Sequence, residues 1–178
     1  MVTLNRSMIS AARALLALCK ARKLKLVAAE SCTGGLLAAT LTEIPGSSDV
    51  VDRGFVTYSN ASKHEMLGVP LRTLEKFGAV SRETALAMSK GALARSAADL
   101  TVAITGIAGP GGGSKHKPVG LVHIAAATRH GHRAHIECRF GDIGRGKVRE
   151  ESVLQAMAML SALAKKVTPK KNSQKTSK

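Results

Sequence analysis

The chain has 178 residues, of which 44% are hydrophobic but only 2% aromatic, and its formal net charge is +15. This length suits a single domain, which can bury roughly 70% of its unfolded surface and needs no disulfide or structural metal. The three cysteines are widely spaced, which predicts reduced thiols rather than disulfides. No apolar run approaches the ~18 residues of a transmembrane helix, and the N-terminus has no signal-peptide pattern. We therefore predict a cytoplasmic protein without membrane contact.

Apolar periodicity predicts helices and strands in alternation along most of the chain. The predicted helices cover residues 7–23, 35–42, 60–67, 71–77, 82–97 and 145–164. The predicted strands cover residues 24–29, 50–58, 100–105, 119–128 and 133–140. Strands mostly separated by helices indicate an α/β fold, a three-layer α/β/α sandwich whose mostly parallel, mixed sheet carries one antiparallel hairpin.

The first strand runs directly into a small, polar, glycine-rich turn, Ala-Glu-Ser-Cys-Thr-Gly-Gly at residues 29–35. Ligands of open α/β sheets bind beyond the carboxyl ends of the strands, where a following helix also offers free N–H groups. Ser31 can therefore be a nucleophile, with backbone N–H groups of the turn near a developing oxyanion. The alternative, which the local sequence alone favours, is that Ser31 or Thr33 merely caps the helix.

The second strand leads into Tyr-Ser-Asn-Ala-Ser-Lys at residues 58–63, which places Lys63 five residues beyond Tyr58, the only tyrosine. A lysine beside a hydroxyl nucleophile can act as its base once burial or a neighbouring charge lowers its pKa. Taken alone, however, a single lysine on a short helix is better interpreted as part of a solvated face.

Three later features admit a functional and a structural interpretation. The loop at residues 106–113, Gly-Ile-Ala-Gly-Pro-Gly-Gly-Gly, can wrap a phosphate or ribose, or can be a mobile surface loop, and it is not a P-loop. The spacing of His130, His132 and His135 could chelate a metal, but we expect exposed histidines at a hairpin turn. Arg145 and Arg149, one helical turn apart, are surface charges or a phosphate clamp.

Much of the positive charge lies at the C-terminal end. We predict a folded domain over residues 1–164 and a basic, disordered tail over residues 165–178, which holds six lysines and no acid. Without that tail, 21 basic residues still face 12 acidic ones, so anionic ligands are favoured. The chain has only four aromatic residues and no helix-turn-helix or zinc-finger pattern, which argues against nucleic acid as a partner and favours a phosphorylated small molecule.

Five motifs in register carry a resemblance over about residues 8–164. They are residues 29–35, Gly-Phe-Val-Thr-Tyr-Ser-Asn at 54–60 together with Lys63, Gly-Ala-Val-Ser at 78–81, Thr-Gly-Ile-Ala-Gly-Pro at 105–110, and Lys-Pro-Val-Gly at 117–120. Together they closely resemble the C-terminal domain of the competence/damage-inducible protein (CinA) family, whose stand-alone form is a nicotinamide-nucleotide amidohydrolase.

The resemblance implies hydrolysis of nicotinamide mononucleotide (NMN) to nicotinate mononucleotide and ammonia in pyridine nucleotide recycling. It implies a serine amidase that needs no metal or cofactor, and a homo-oligomer. It assigns Ser31 as nucleophile, Lys63 as general base, and Tyr58 and Thr105 as hydroxyls around them. It matches the arginine that the family carries near its last helix to Arg145, with Arg149 as an alternative. The implied substrate-binding positions are Cys32, Thr33, Gly34, Gly35, Gly106, Ala108, Gly109 and Arg145.

A non-catalytic nucleotide- or DNA-binding module related to competence is the alternative function. An enzyme requires Ser31 and Lys63 within hydrogen-bond reach of each other and deamidates NMN. A DNA-binding module instead loses affinity steeply with salt and on deletion of residues 165–178.

Overall fold

The computed structural model describes residues 4–167, and each predicted helix and strand is found there, with its ends shifted by at most three residues. The α-helices are α1 (Arg6–Ala21), α2 (Leu36–Thr42), α3 (Asn60–Leu67), α4 (Leu71–Phe77), α5 (Arg82–Ala94) and α6 (Arg145–Lys166). The strands are β1 (Leu26–Glu30), β2 (Val51–Val56), β3 (Leu100–Gly106), β4 (Leu121–Thr128) and β5 (Arg133–Arg139).

The five strands form one mixed sheet in the order β2-β1-β3-β4-β5. β1 pairs in parallel with β2 and β3, whereas β4 is antiparallel to both of its neighbours. Four strands therefore point the same way and β4 alone is reversed. The predicted fold class is confirmed, and the structure adds a second antiparallel pair, because the glycine-rich segment after β3 returns the chain alongside β3 itself.

Alternation along the strands builds a core on each face of the sheet. In β1, Leu26 and Ala28 pack in the larger core with α1, α2 and α6, whereas Val27 and Ala29 pack in the smaller core with α5. These two cores give the three layers. The many alanines on the strands and helices let the layers approach closely without aromatic side chains.

The candidate functional segments start from one edge of the sheet. Glu30, the last residue of β1, is level with Val56 at the end of β2 and with Ile104 near the end of β3. The turn after β1, the segment after β2 and the loop after β3 therefore emerge side by side. Ser59 and Ser62 form a capping box at the start of α3, which sets Lys63 in the first turn of that helix.

The last helix extends two residues beyond residue 164, after which the sequence analysis placed the start of the tail. α6 continues through Lys165 and Lys166, where basic side chains are favourable at the negative end of the helix dipole. The rest of the predicted tail, beyond residue 167, lies outside the described residues. Within residues 4–167, no helix is long and apolar enough to cross a membrane.

Candidate active site

Ser31 is held at the point where β1 leaves the sheet. Its backbone N–H donates to the Ile104 carbonyl at 2.9 Å, which extends the β1–β3 ladder by one residue. The chain then turns sharply, with the Gly34 N–H donating to the Ser31 carbonyl at 3.0 Å. Gly35 has a φ of 90°, a left-handed conformation that glycine adopts without strain. The hydroxyl-bearing residue is thus fixed by its backbone and only 8% exposed.

Lys63 reaches this hydroxyl from α3. Its side chain is fully buried, and Nζ lies 3.0 Å from Ser31 Oγ, 2.8 Å from the Thr57 carbonyl and 3.4 Å from the Tyr58 carbonyl. A neutral amine has two N–H groups and one lone pair. The two carbonyls can only accept, so when Lys63 is neutral its lone pair faces the Ser31 hydroxyl.

Burial lowers the pKa of Lys63 from the ordinary lysine value, because the charged ammonium loses its hydration; the nearby Cys32 opposes this only in part. The interpretation of Lys63 as a solvated surface lysine is therefore wrong. A buried amine with a lowered pKa, in contact with a serine hydroxyl, is placed to accept the proton of that hydroxyl.

Cys32 follows Ser31 but does not compete with it. Burial raises the pKa of the Cys32 thiol to about 12, so the unreactive thiol form prevails at neutral pH. The backbone N–H groups of Cys32 and Thr33 donate to no oxygen atom within residues 4–167. Those two amides are available to an oxyanion that forms next to Ser31 Oγ.

Glu30 fixes the turn from one side, and the sequence analysis missed it. Its buried carboxylate accepts from the N–H groups of Leu37 at 3.0 Å and Ala38 at 2.9 Å, and so caps α2. Neither Ser31 nor Thr33 provides this cap, contrary to the alternative suggested by the local sequence. The signal was available: Glu30 is the only charged residue in an otherwise apolar strand, and buried carboxylates need partners.

Arg149 of α6 fixes the same turn from the other side. Its Nη2 and Nε donate to the Thr33 carbonyl at 2.7 Å and 3.2 Å. Arg149 is therefore occupied with the backbone of the turn and positions it.

Glu30→Gln is expected to lower the turnover of any reaction that starts at Ser31 about 10- to 100-fold, because one N–H of α2 would then face an amide NH2 group and the turn that carries Ser31 would shift. Loss of a buried, charge-assisted hydrogen bond should also lower the free energy of unfolding by about 1.5–3 kcal/mol. Steady-state kinetics and urea unfolding measure the two effects. Glu43→Gln, an exposed change after α2, is the control, and equal behaviour of the two variants would refute the positioning role.

Arg145 lies between Tyr58 and the glycine-rich loop. Its Nη1 donates to the Gly109 carbonyl at 2.9 Å and its Nη2 to the Tyr58 hydroxyl at 3.0 Å. Both arginines left open by the sequence therefore lie at the edge of the sheet that carries Ser31: Arg145 beside the glycine-rich loop and Arg149 against the turn after Ser31. The Tyr58 side chain is 61% exposed and within reach of a ligand.

Thr105 and the start of the loop are structurally constrained. The buried Thr105 hydroxyl donates to the Ala79 carbonyl at 2.8 Å, which ties the 78–81 motif to β3. A Cβ on Gly106 would lie 2.7 Å from Val122 Cγ2, so only glycine fits there. Within residues 4–167, neither the Thr105 nor the Tyr58 hydroxyl forms a hydrogen bond with Ser31 or Lys63, and their catalytic roles stay predictions.

The histidines do not form a metal cluster in the part of the chain that the structure describes. His130 and His132 are exposed in the turn before β5. His135, on β5, lies with its Nε2 3.1 Å from Nδ1 of the buried His123. No three His, Cys, Asp or Glu side chains among residues 4–167 are grouped to hold a metal ion.

Comparison with known proteins gives consistent matches. Residues 8–164 match the family model of the CinA C-terminal domain. A crystal structure of the competence/damage-inducible protein CihA from Agrobacterium tumefaciens superposes with a TM-score of 0.89 at 55% identity, and covers 92% of this chain and 99% of that one. A CinA superfamily protein from Klebsiella pneumoniae superposes with a TM-score of 0.85 at 34% identity, over 90% and 99% of the two chains.

Among curated relatives, a CinA-like protein from Parasynechococcus marenigrum is 49% identical over 152 residues, which is 85% of this chain but 36% of that protein. Nicotinamide-nucleotide amidohydrolase PncC from Enterobacter agglomerans is 54% identical over 112 residues, 63% of this chain and 68% of that protein. The chain spans about a third of the length of several longer curated relatives that it matches.

Proposed function

This chain belongs to the CinA C-terminal domain family, and we propose that it is an amidohydrolase that converts NMN to nicotinate mononucleotide and ammonia. The observation that carries the proposal is the 3.0 Å contact between Ser31 Oγ and the buried Nζ of Lys63. The similarity to PncC, which is named a nicotinamide-nucleotide amidohydrolase, supports the substrate.

In the first half of the reaction, Ser31 Oγ attacks the carboxamide carbon of NMN while its proton passes to the neutral Nζ of Lys63. The C–N bond of the tetrahedral intermediate then breaks, and Lys63 returns the proton to the leaving nitrogen, which departs as ammonia. An ester between the carboxyl group of nicotinate mononucleotide and Ser31 Oγ remains.

In the second half, water attacks this ester and gives a proton to Lys63. The bond to Ser31 Oγ breaks, and the proton moves from Lys63 back to that oxygen, which restores the free enzyme and releases nicotinate mononucleotide. Thr57 and Tyr58 support both halves, since their carbonyls hold the other two positions around Nζ and keep the amine aimed at Ser31.

The turn amides are the proposed oxyanion donors. The N–H groups of Cys32 and Thr33 follow the nucleophile directly, and a preorganised donor of this kind contributes on the order of 3 kcal/mol to transition-state stabilisation. Glu30 and Arg149 hold the turn that carries these amides.

The phosphate of the substrate is assigned to Arg145, because guanidinium groups bind phosphate well and this one adjoins the glycine-rich loop. Arg145→Ala is expected to raise KM for NMN about 10- to 100-fold with a smaller change in kcat. Nicotinamide riboside, which lacks the phosphate, should be processed alike by the variant and the unchanged protein. A KM defect of equal size with the riboside would contradict phosphate binding by Arg145, and Arg139→Ala on exposed β5 is the matched control.

Ammonia release from NMN tests the proposed activity directly. We expect release with equal amounts of ammonia and nicotinate mononucleotide, and the same rate with and without EDTA, since Ser31 and Lys63 supply the nucleophile and the base. Activity that EDTA abolishes and zinc restores would contradict this mechanism.

We also propose a cytoplasmic homo-oligomer. Three free thiols, two of them buried, fit a reducing compartment. Large apolar side chains that are exposed fit an interface between subunits, and these include Val56, Met66, Leu71 and Ile143. Sedimentation velocity at two protein concentrations measures the assembly.

A further inference from the structure

A cavity of about 500 Å³ lies between α5 and the β4–β5 hairpin, away from Ser31. It reaches Thr128, which is level with Leu100 at the start of β3. Ser31 instead follows Glu30, which is level with Ile104 near the other end of β3. The Thr128 end of the cavity and the candidate active site therefore lie at opposite ends of the sheet. The volume is within the range of roughly 300–1,000 Å³ that is common for small-molecule sites.

The rim of the cavity is positively charged. Arg82 and Lys90 of α5 and Arg133 of β5 line it, and none of the three forms an ion pair or a side-chain hydrogen bond with another described residue. Among residues 4–167, no aspartate or glutamate lines the cavity. A fourth cation, Arg129, is already engaged, because its guanidinium donates to the carbonyls of Leu93, Ser96 and Ala98. Three cations are thus left to bind an anion.

The walls between these cations are mostly apolar, with Ser89, Thr128 and His135 as the uncharged polar residues. Leu86 and Leu93 of α5 and Ala134 of β5 are half-buried and supply apolar surface. Ser89 also lines the cavity, and its buried hydroxyl has no hydrogen-bond partner among residues 4–167. Buried hydroxyls are usually hydrogen-bonded, so this one calls for a partner.

We propose that this cavity binds an organic phosphate of about mononucleotide size. Arg82, Lys90 and Arg133 bind the phosphate, since arginine and lysine are the usual phosphate ligands, and the leucine and alanine walls contact the uncharged body of the ligand. A second copy of the chain at this groove would set its own basic surface against the cationic rim, so we expect the homo-oligomer proposed above to use the exposed apolar side chains instead. The site does not depend on the proposed amidase activity.

Two-dimensional NMR with AMP as the probe tests the site, using the full chain carrying Ser31→Ala so that no turnover occurs. We expect saturable shifts of the backbone signals of Leu86, Ser89 and Leu93. The double variant Lys90→Ala/Arg133→Ala should weaken the affinity at these signals at least tenfold. Arg72→Ala/Lys76→Ala, which removes two exposed charges from α4, should leave it unchanged.

Several outcomes would overturn the proposal. These are the absence of shifts at the cavity, an equal loss of affinity in the α4 control, or inorganic phosphate binding as tightly as AMP. Cavity signals that shift with protein concentration alone would show that a second copy occupies the groove. Each measurement is read at the cavity and in the Ser31→Ala variant, which does not turn over substrate. A negative result at the cavity therefore leaves the amidase proposal intact, and a lack of amidase activity leaves the proposed phosphate site intact.

Discussion

Replacing Ser31 by alanine is expected to lower kcat for ammonia release from NMN by at least about 10⁴-fold, because no other side chain among residues 4–167 is hydrogen-bonded to Lys63 Nζ. Removing the nucleophile of a catalytic unit typically costs several orders of magnitude, and the residual rate reflects binding and oxyanion stabilisation alone. The fold should persist, since Ser31 is held through its backbone bonds to Ile104 and Gly34 rather than through its hydroxyl. Ammonia release and far-UV circular dichroism measure the two properties.

Cys32→Ala is the matched control for this variant. The neighbouring thiol is equally close in sequence and also buried, but its raised pKa keeps it protonated. We expect Cys32→Ala to retain activity within about tenfold of the unchanged protein. Near-normal activity in Ser31→Ala, or a loss in Cys32→Ala as large as in Ser31→Ala, would assign the nucleophile to the wrong residue.

Replacing Lys63 by methionine is expected to lower kcat by about 10³-fold or more at neutral pH. Methionine approximates the shape of the lysine stem but cannot take the proton of Ser31, and general-base catalysis typically contributes 10²–10⁴-fold. Lys63→Arg should be equally inactive, because a guanidinium stays protonated and has no lone pair to accept the proton. Activity in the arginine variant above one-tenth of normal would refute the role of Lys63 as base.

The pH dependence follows from the lowered pKa of Lys63. In the unchanged protein, kcat should rise with pH as Lys63 loses its proton and then reach a plateau. The midpoint of this rise should lie below the ordinary lysine pKa of 10.5. The free energy of unfolding should also rise with pH. Below the pKa that Lys63 has in the folded protein, the cost of burying its charge is fully present, and this cost is relieved as pH rises from that pKa toward 10.5. Lys63→Met should lack this rise.

The order of helices and strands could be predicted from the sequence because the apolar periodicity changed where glycine, proline and helix-capping residues occur. The helices predicted to start at residues 60 and 82 do start there, and the side chains of Ser59 and Ser81 accept from backbone N–H groups at those starts. What the sequence could not provide was the pairing of β4 with β3. That contact is long-range, and an apolar strand such as β4 carries no local sign of its neighbour or direction.

The residues of the candidate site could be named from the sequence, but most of the contacts that their side chains make could not. Lys63 looked solvated because its short helix shows little amphipathicity, and only the fold shows that its first turn faces Ser31 across the sheet edge. Thr105 and Tyr58 show the converse: both stand near the expected place, yet their hydroxyls bond to Ala79 and Arg145. Side-chain direction at the end of a strand depends on neighbours distant in sequence.

The most direct test of the Ser31–Lys63 mechanism is turnover of NMN in the presence of hydroxylamine. An ester on Ser31 can be attacked by hydroxylamine as well as by water, so the mechanism predicts the hydroxamate of nicotinate mononucleotide in proportion to the hydroxylamine added. Ammonia release from NMN should continue in the presence of hydroxylamine. The Ser31→Ala variant should form neither the hydroxamate nor nicotinate mononucleotide. Formation of nicotinate mononucleotide alone at every hydroxylamine concentration would show that water attacks the amide directly, and would contradict an acyl-enzyme on Ser31.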